Sequence, residues 1–158
     1  MSISLRQIEP ADYKTVIGVV NDWWGGRQMA DMLPRLFFVH FRPTSFIAQE
    51  DNQLRGFLSG FVSQTYPSQA YIHFVGADPR HRGQGIGRLL YSHFFEVVKN
   101  LGCTEVGCVT SPLNKGSIAF HIRLGFEILP GDSEVEGLAT TSNYDGQGQA
   151  RVLFRRQL

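Results

Sequence analysis

The chain predicts an α/β domain built on a mixed, mostly antiparallel sheet with helices on its faces, and three stretches carry that prediction. Residues 70–77 form a nearly unbroken apolar and aromatic run closed by Asp78-Pro79, the pattern of a buried strand. Ile86, Leu89, Leu90, Phe94, Val97, Val98 and Leu101 then recur at the i, i+3, i+4, i+7 spacing of one buried helix face. Residues 105–110 return to a strand pattern. A strand, a long helix and a second strand make a right-handed parallel crossover. The segments around it read as hairpins, which leaves this pair as the one parallel contact.

In chain order, residues 4–8 read as the first strand. Pro10 suits the first turn of a helix running to about Trp24, with Val16, Val19, Val20 and Trp23 on one face and Gly25-Gly26 as its stop. Residues 27–41 form a second helical segment with Met29, Met32, Leu33, Leu36, Phe37 and His40 inward, broken or kinked at Pro34. Residues 44–49 and 54–64 are the next strands, joined by a turn at Glu50-Asp51-Asn52. A loop around Tyr66-Pro67-Ser68 enters the strand at 70–77. After the long helix and the strand at 105–110, a short helix covers 114–124. Glycine-rich Asn143-Tyr144-Asp145-Gly146-Gln147-Gly148 separates the last two strands, the second at 151–155. The predicted order is βααβββαβαββ in a single domain, residues 1–158.

At 158 residues, 42% hydrophobic and 18% charged, the chain has the composition of one globular domain with a real core. No apolar stretch approaches the ~18 residues of a membrane span. Met1-Ser2-Ile3-Ser4-Leu5-Arg6 lacks the apolar core of a signal peptide, so a cytoplasmic location without a membrane partner is expected. A formal net charge of +1 gives no reason to expect nucleic acid. Cys103 and Cys108 fall on opposite faces of one strand start and read as reduced thiols. No Cys/His spacing suggests zinc, and no metal is expected.

Between the apolar strand and the long helix stands Arg82-Gly83-Gln84-Gly85-Ile86-Gly87-Arg88. A glycine-rich turn feeding a helix start exposes unpaired N–H groups at the positive end of the helix dipole, which suits a phosphate or pyrophosphate. The spacing is neither G-x-x-x-x-G-K-[ST] nor G-x-G-x-x-G. Glu105, at the distance where a ribose-binding acid is wanted, opens a strand instead of closing one. Downstream, Asn114 suits the N-cap of the short helix. Positions 114 and 121 are almost two turns apart, so Asn114 and His121 share a face about 10 Å apart along the axis.

The loop Arg82-x-x-Gly85-x-Gly87, following a strand and Asp-Pro, resembles the acetyl-CoA motif of the GNAT N-acetyltransferase superfamily. Asn114-x-x-Ser117-x-x-Phe120-His121-x-x-Leu124-Gly125-Phe126 is similar to that superfamily's second motif, N-x-x-A-x-x-L-Y-x-x-x-G-F. The element order agrees too, so the resemblance spans nearly the whole chain. It implies a GNAT-like fold, acetyl-CoA as co-substrate, and direct attack by a primary amine of a small molecule or peptide in a ternary complex. The loop, Arg82, Gly83, Gln84, Gly85, Ile86, Gly87 and Arg88, is then expected to hold the CoA pyrophosphate. Asn114 and Ser117 would lie along the pantetheine, and residue 121 near the sulfur as general acid. Two departures stand out. Ser117 replaces Ala, and His121 replaces Tyr, exchanging a phenol that titrates near 10 for an imidazole near 6.5.

The resemblance also places a backbone N–H donor for the thioester carbonyl on the strand before the loop, at Val75, Gly76 or Ala77. Many relatives carry a glutamate base on this strand, but here no carboxylate precedes Asp78. His73, on the strand face of Val75, is the leading candidate base, with Asp22, Glu50 and a water chain left open. The acceptor side falls to the loop after the first helix, through Trp24 and Arg27, with Tyr144 closing the other side and Trp23 packed inward. Edge strands at the C-terminus could pair with a second copy to give a homodimer. The missing strand carboxylate and His121 also admit a second reading, a non-catalytic acyl-CoA-binding or sensory module.

Overall fold

A computed structural model describes residues 2–158. Its elements are β1 (Ser4–Gln7), α1 (Asp12–Trp23), α2 (Leu36–Val39), β2 (Phe46–Glu50), β3 (Gln53–Val62), β4 (Gln69–Ala77), α3 (Ile86–Asn100), β5 (Glu105–Thr110), α4 (Lys115–Arg123), β6 (Glu127–Ile128), β7 (Ser133–Val135), β8 (Leu138–Thr140) and β9 (Val152–Gln157). Seven strands form one sheet in the order β1-β2-β3-β4-β5-β9-β6, and β7 with β8 makes a separate hairpin. The mixed, mostly antiparallel architecture read from the sequence is the one observed.

Period-2 alternation sends the central strands' side chains into two cores, one on each sheet face. Phe46, Ala48, Leu58 and Ile72 meet Leu90, Phe94 and Val98 of α3. Ile47, Phe57 and Phe74 meet Val16 and Val20 of α1 and Phe38 of α2. Helix α3 presses so closely on β3 that a Cβ at Gly56 would lie 2.7 Å from the Ile86 side chain.

Among the described residues the one parallel contact, β4 with β5, is short. It joins Gln69 to Glu105, Ala70 to Val106 and Tyr71 to Gly107. Both strands continue beyond these pairs, β4 to Ala77 and β5 to Thr110, without pairing with each other. A gap therefore opens in the middle of the sheet. On the other side of β4, Ser59 pairs with Phe74 but Gly60 with Ile72, so His73 is the extra residue of a bulge. Bulges of this kind re-aim a side chain.

Several details differ from the sequence reading. The helical segment at 27–41 is two short pieces, a 3₁₀ turn at Ala30–Met32 and the four-residue α2. Asn21 Oδ1 accepts from the N–H groups of Met29 (2.7 Å) and Ala30 (2.9 Å), holding that stretch as a loop against α1. Of its supposed inner face, Leu33 is buried, but Met32 and Leu36 are exposed and Phe38 is buried instead. The β7–β8 hairpin adds two strands to the expected order, its turn made by Glu136 and Gly137, both at positive φ. Along α3, Leu89 and Leu101 are exposed whereas Tyr91 is buried.

Candidate functional site

The approach to α3 is built to leave its N-terminus bare. Asp78, fully buried at the end of β4, accepts from the Arg80 N–H at 3.0 Å and pairs with the Arg80 guanidinium at 2.9 Å. That guanidinium holds the Asp78 carboxyl below the usual carboxylate range. The chain then passes through Gly83 (φ 81°) and Gly85 (φ 73°) in left-handed conformations that glycine adopts without strain. Gly85 is the N-cap of α3, and no side chain caps the helix. A Cβ at Gly83 or Gly85 would meet nothing within 4 Å, so the space over the first-turn N–H groups is open. The Ile86 side chain belongs to the core, which leaves only its backbone to the loop. Gly87 packs under Phe120, where a Cβ would come to 3.3 Å of the ring. Arg82 and Arg88 are exposed on either side. Fixed N–H donors, a helix dipole and two guanidiniums are together suited to an anion.

Arg82 also borders a cavity of about 1220 Å³ that occupies the gap between β4 and β5. This cavity brings together Trp24, Arg27, His73, Val75, Arg82, Asn114, Ser117 and His121 of the predicted site, and the glycine loop from Gly83 to Arg88 lies outside its lining. Gly76 and Ala77 do not line it either. Gly76 is a packing glycine, since a Cβ there would lie 2.6 Å from the Phe57 ring and 2.9 Å from Trp24. Asn114 caps α4, its Oδ1 accepting from the Ser117 N–H at 3.1 Å, and its amide NH₂ remains for a ligand.

The two histidines are held differently. His73 stacks on Phe37 (4.1 Å between centroids, 6°), and its Nε2 hydrogen-bonds the Met32 carbonyl. The carbonyl only accepts, so Nε2 donates and Nδ1 keeps a lone pair. Burial lowers the His73 pKa, partly offset by the bond to Met32 and by the charge of Asp145. His121 is buried, with Nδ1 2.7 Å from the Ser117 carbonyl and Nε2 2.8 Å from the Tyr91 hydroxyl. Burial lowers its pKa too. Asp22 and Glu50 do not line the cavity; Glu50 pairs with Arg55 at 3.3 Å.

On the acceptor side, Trp24 packs edge-on to Phe74 (4.9 Å) and Arg27 is exposed at the rim. Tyr144 borders a smaller neighbouring cavity of about 290 Å³ instead, and its neighbour Asp145 lines the main one. Asp145 is held by Arg151 at 2.9 Å in a loop that the Thr141–Arg151 bridge closes. Sequence reasoning passed over Tyr71 and Tyr91, and from the Asn143-Tyr144-Asp145 segment it chose Tyr144 where Asp145 lines the cavity. Tyr91 had a legible signal, standing three and seven positions before Phe94 and Val98 on the buried stripe. Cys103 and Cys108 are free and buried, and burial raises both thiols. Among the described residues no group of three or more His, Cys, Asp or Glu is placed to hold a metal ion, and no helix is long and apolar enough to cross a membrane.

Known proteins resemble this chain in sequence and in fold. An uncharacterized N-acetyltransferase of Methanocaldococcus jannaschii is 34% identical over 89 residues, which are 56% of this chain and 36% of that protein. The L-2,4-diaminobutyric acid acetyltransferase of Nocardia farcinica is 30% identical over 79 residues, 50% of this chain and 41% of that protein. The chain thus spans less than half the length of either relative. Among solved structures, a GNAT-family protein from Desulfovibrio desulfuricans superposes with a TM-score of 0.80 at 17% identity, covering 99% of both chains. An acetyltransferase from Salmonella typhimurium, solved with acetyl-CoA, gives a TM-score of 0.73 at 18% identity over 100% of this chain and 95% of that one. At such identities the structures speak for the fold. The sequence model of the acetyltransferase (GNAT) family matches residues 5–126, most of the chain, and the protein belongs to that family.

Proposed function

We propose that the protein transfers the acetyl group of acetyl-CoA to a primary amine of a small molecule or peptide, by direct attack in a ternary complex. One observation carries the reading: a cavity runs through the gap between β4 and β5, reaching Arg82 in the loop that leads to the uncapped start of α3 at one end and an aromatic wall built by Trp24, Tyr71 and Phe74 at the other. A thioester lying in that gap is exposed to an acceptor on its far side. The acetyl-CoA bound to the Salmonella relative and the small diamine acid named for the Nocardia relative support the two halves of this reading.

The residue roles follow from chemistry. The α3 N-terminus, Arg82 and Arg88 take the pyrophosphate. Asn114 and Ser117 lie along the pantetheine. An N–H of β4 at Val75 faces the thioester carbonyl, where a fixed donor is worth most as charge develops. An alkyl ammonium must lose a proton before it attacks, and His73 Nδ1 is the free lone pair on the strand bordering the cavity. Asp145, acting on His73 across the cavity, provides the negative charge that draws an ammonium in. A cytoplasmic location belongs to the same reading and suits two reduced thiols.

The test is ligand protection followed by turnover. Acetyl-CoA at 100 times its Kd should stabilise the fold by about 2.7 kcal/mol, which for a chain of this size raises the melting temperature by roughly 5 to 10 °C. NAD and ATP should not match it. Thiol release from acetyl-CoA should then depend on one or more members of an amine panel. Protection without amine-dependent release from any acceptor would instead favour the non-catalytic acyl-CoA-binding module.

A further inference from the structure

Ser117 and His121, the two departures from the family pattern, meet a third residue that the pattern does not contain. The Tyr91 hydroxyl, on α3, lies 2.8 Å from His121 Nε2. On the other side of the ring, Nδ1 lies 2.7 Å from the Ser117 carbonyl oxygen and 3.3 Å from the Ser117 hydroxyl. Because the carbonyl can only accept, Nδ1 carries the proton and Nε2 accepts from the Tyr91 O–H. Phe154 stacks on the ring at 4.9 Å and Phe126 meets it edge-on at 5.2 Å, which fixes its orientation. Burial works against an imidazolium here and keeps the Tyr91 phenol protonated. The neutral ring thus has both nitrogens occupied inside the fold and no N–H aimed into the cavity. Tyr91 reaches that cavity itself.

We infer that Tyr91, and not His121, is the residue that meets the departing CoA sulfur, with His121 and Ser117 positioning its hydroxyl and resupplying its proton. The inference rests on the acetyltransferase reading above. From the observed state, a cavity water protonates the Tyr91 oxygen as the Tyr91 proton passes to Nε2, while the Nδ1 proton passes to the Ser117 hydroxyl, which releases its own to solvent. The Ser117 O–H then donates to Nδ1, Nε2–H donates to the Tyr91 oxygen, and the Tyr91 O–H points at sulfur. As the C–S bond breaks, its electron pair stays on sulfur. The Tyr91 proton moves to sulfur, the Nε2 proton to the Tyr91 oxygen and the Ser117 proton to Nδ1. Ser117, only half-buried, regains a proton from solvent, which receives the one lost by the acceptor nitrogen. Every group ends neutral. The end state is the arrangement observed, Nδ1–H on the Ser117 carbonyl and the Tyr91 O–H on Nε2. A phenol thus serves the sulfur, as the family pattern has it, but from a different helix.

The experiment needs no acceptor. CoA is bound to the parent protein and to variants, and the ultraviolet absorbance of its thiolate is followed against pH, with ligand-free protein subtracted. That subtraction removes Cys108 and Tyr71, which line the same cavity and titrate high because they are buried. Tyr91→Phe should raise the pKa of the bound thiol by about 1 to 2 pH units, the loss of one hydrogen bond to an anion. Ser117→Ala should raise it less. The double variant Tyr91→Phe with His121→Tyr returns a phenol from α4 and should recover the parent value. A thiol titration unmoved by Tyr91→Phe, or moved only by His121→Gln, would overturn the inference while CoA protection kept the acetyltransferase reading alive. No protection of the parent by CoA would remove both.

Discussion

At His73 two contacts decide what the side chain can do. The bond to the Met32 carbonyl fixes Nε2 as donor, and the stack on Phe37 fixes the plane, so Nδ1 is the one nitrogen able to take a proton. A base must be unprotonated to act, and burial lowers this pKa. kcat/KM should therefore rise with pH through a value below the ordinary histidine pKa of about 6.5 and stay level above it. His73→Phe keeps an aromatic partner for Phe37 and should lower kcat/KM by about 10²- to 10⁴-fold while the protein stays folded. An acid limb that survives unchanged in this variant would place the base elsewhere. The sequence pointed to His73 because its strand lacks a carboxylate. The bulge that singles it out is set by register with β3, where Gly60 skips to Ile72, and register is a pairing property that no local pattern encodes. Tyr144 and Asp145 make the same point. The segment was legible as the far wall of the site, yet the closure at Thr141 and Arg151 decides which of two neighbours faces inward.

Among the elements, the β4–loop–α3 unit was readable because each part obeys a local rule: an apolar strand, glycines at fixed offsets, and a 3.6-residue stripe. Residues 27–41 followed no such rule. Their path depends on Asn21 reaching forward to the N–H groups of Met29 and Ala30, a tertiary contact that overrides helix propensity. The β7–β8 hairpin was hidden for a related reason, since Glu136 takes a positive φ that sequence patterns assign to Asn or Asp. The same local rules give the loop a clean test. Gly85→Ala introduces no clash, because nothing lies within 4 Å of the new Cβ, but it forces a side chain into φ 73°. The strain should cost about 1 kcal/mol, or roughly 2 to 4 °C in melting temperature. The methyl group also enters the open space over the α3 N-terminus, where the anion is expected. CoA affinity should thus fall well beyond what the strain accounts for, by an order of magnitude or more in a binding titration. A loss of stability with unchanged CoA affinity would mean that the pyrophosphate binds elsewhere. Gly87→Ala provides the contrast, with ordinary helical φ and only the Phe120 ring at 3.3 Å to yield.

The molecule as a whole places the buried His121 and the half-buried His73 on opposite faces of the sheet, and this gives the fold a pH response of definite sign. His121 stacks against Phe154 in the core under α3, while His73 stacks on Phe37 on the face covered by α1 and α2. Burial depresses both folded-state pKa values below that of the unfolded chain. Between the folded and unfolded values the unfolded chain binds more protons, so acidification favours it. The stability these neutral rings contribute is complete above about pH 6.5 and is lost as pH falls through their folded values. Asp78 acts in a separate window. Arg80 holds its carboxyl below the usual range, so its contribution persists until pH drops below about 4. Melting temperature measured against pH should therefore be level from 8 to 7, begin to decline below about 6.5 as the rings take up protons on unfolding, and fall again below about 4. His121→Gln removes one of the titrating rings and should shallow the first decline without touching the second. Asp78→Asn should do the reverse. If the first decline were as steep in His121→Gln as in the parent, His121 would not be held neutral in the folded state. The tautomer on which the Tyr91 relay depends would then be the wrong one.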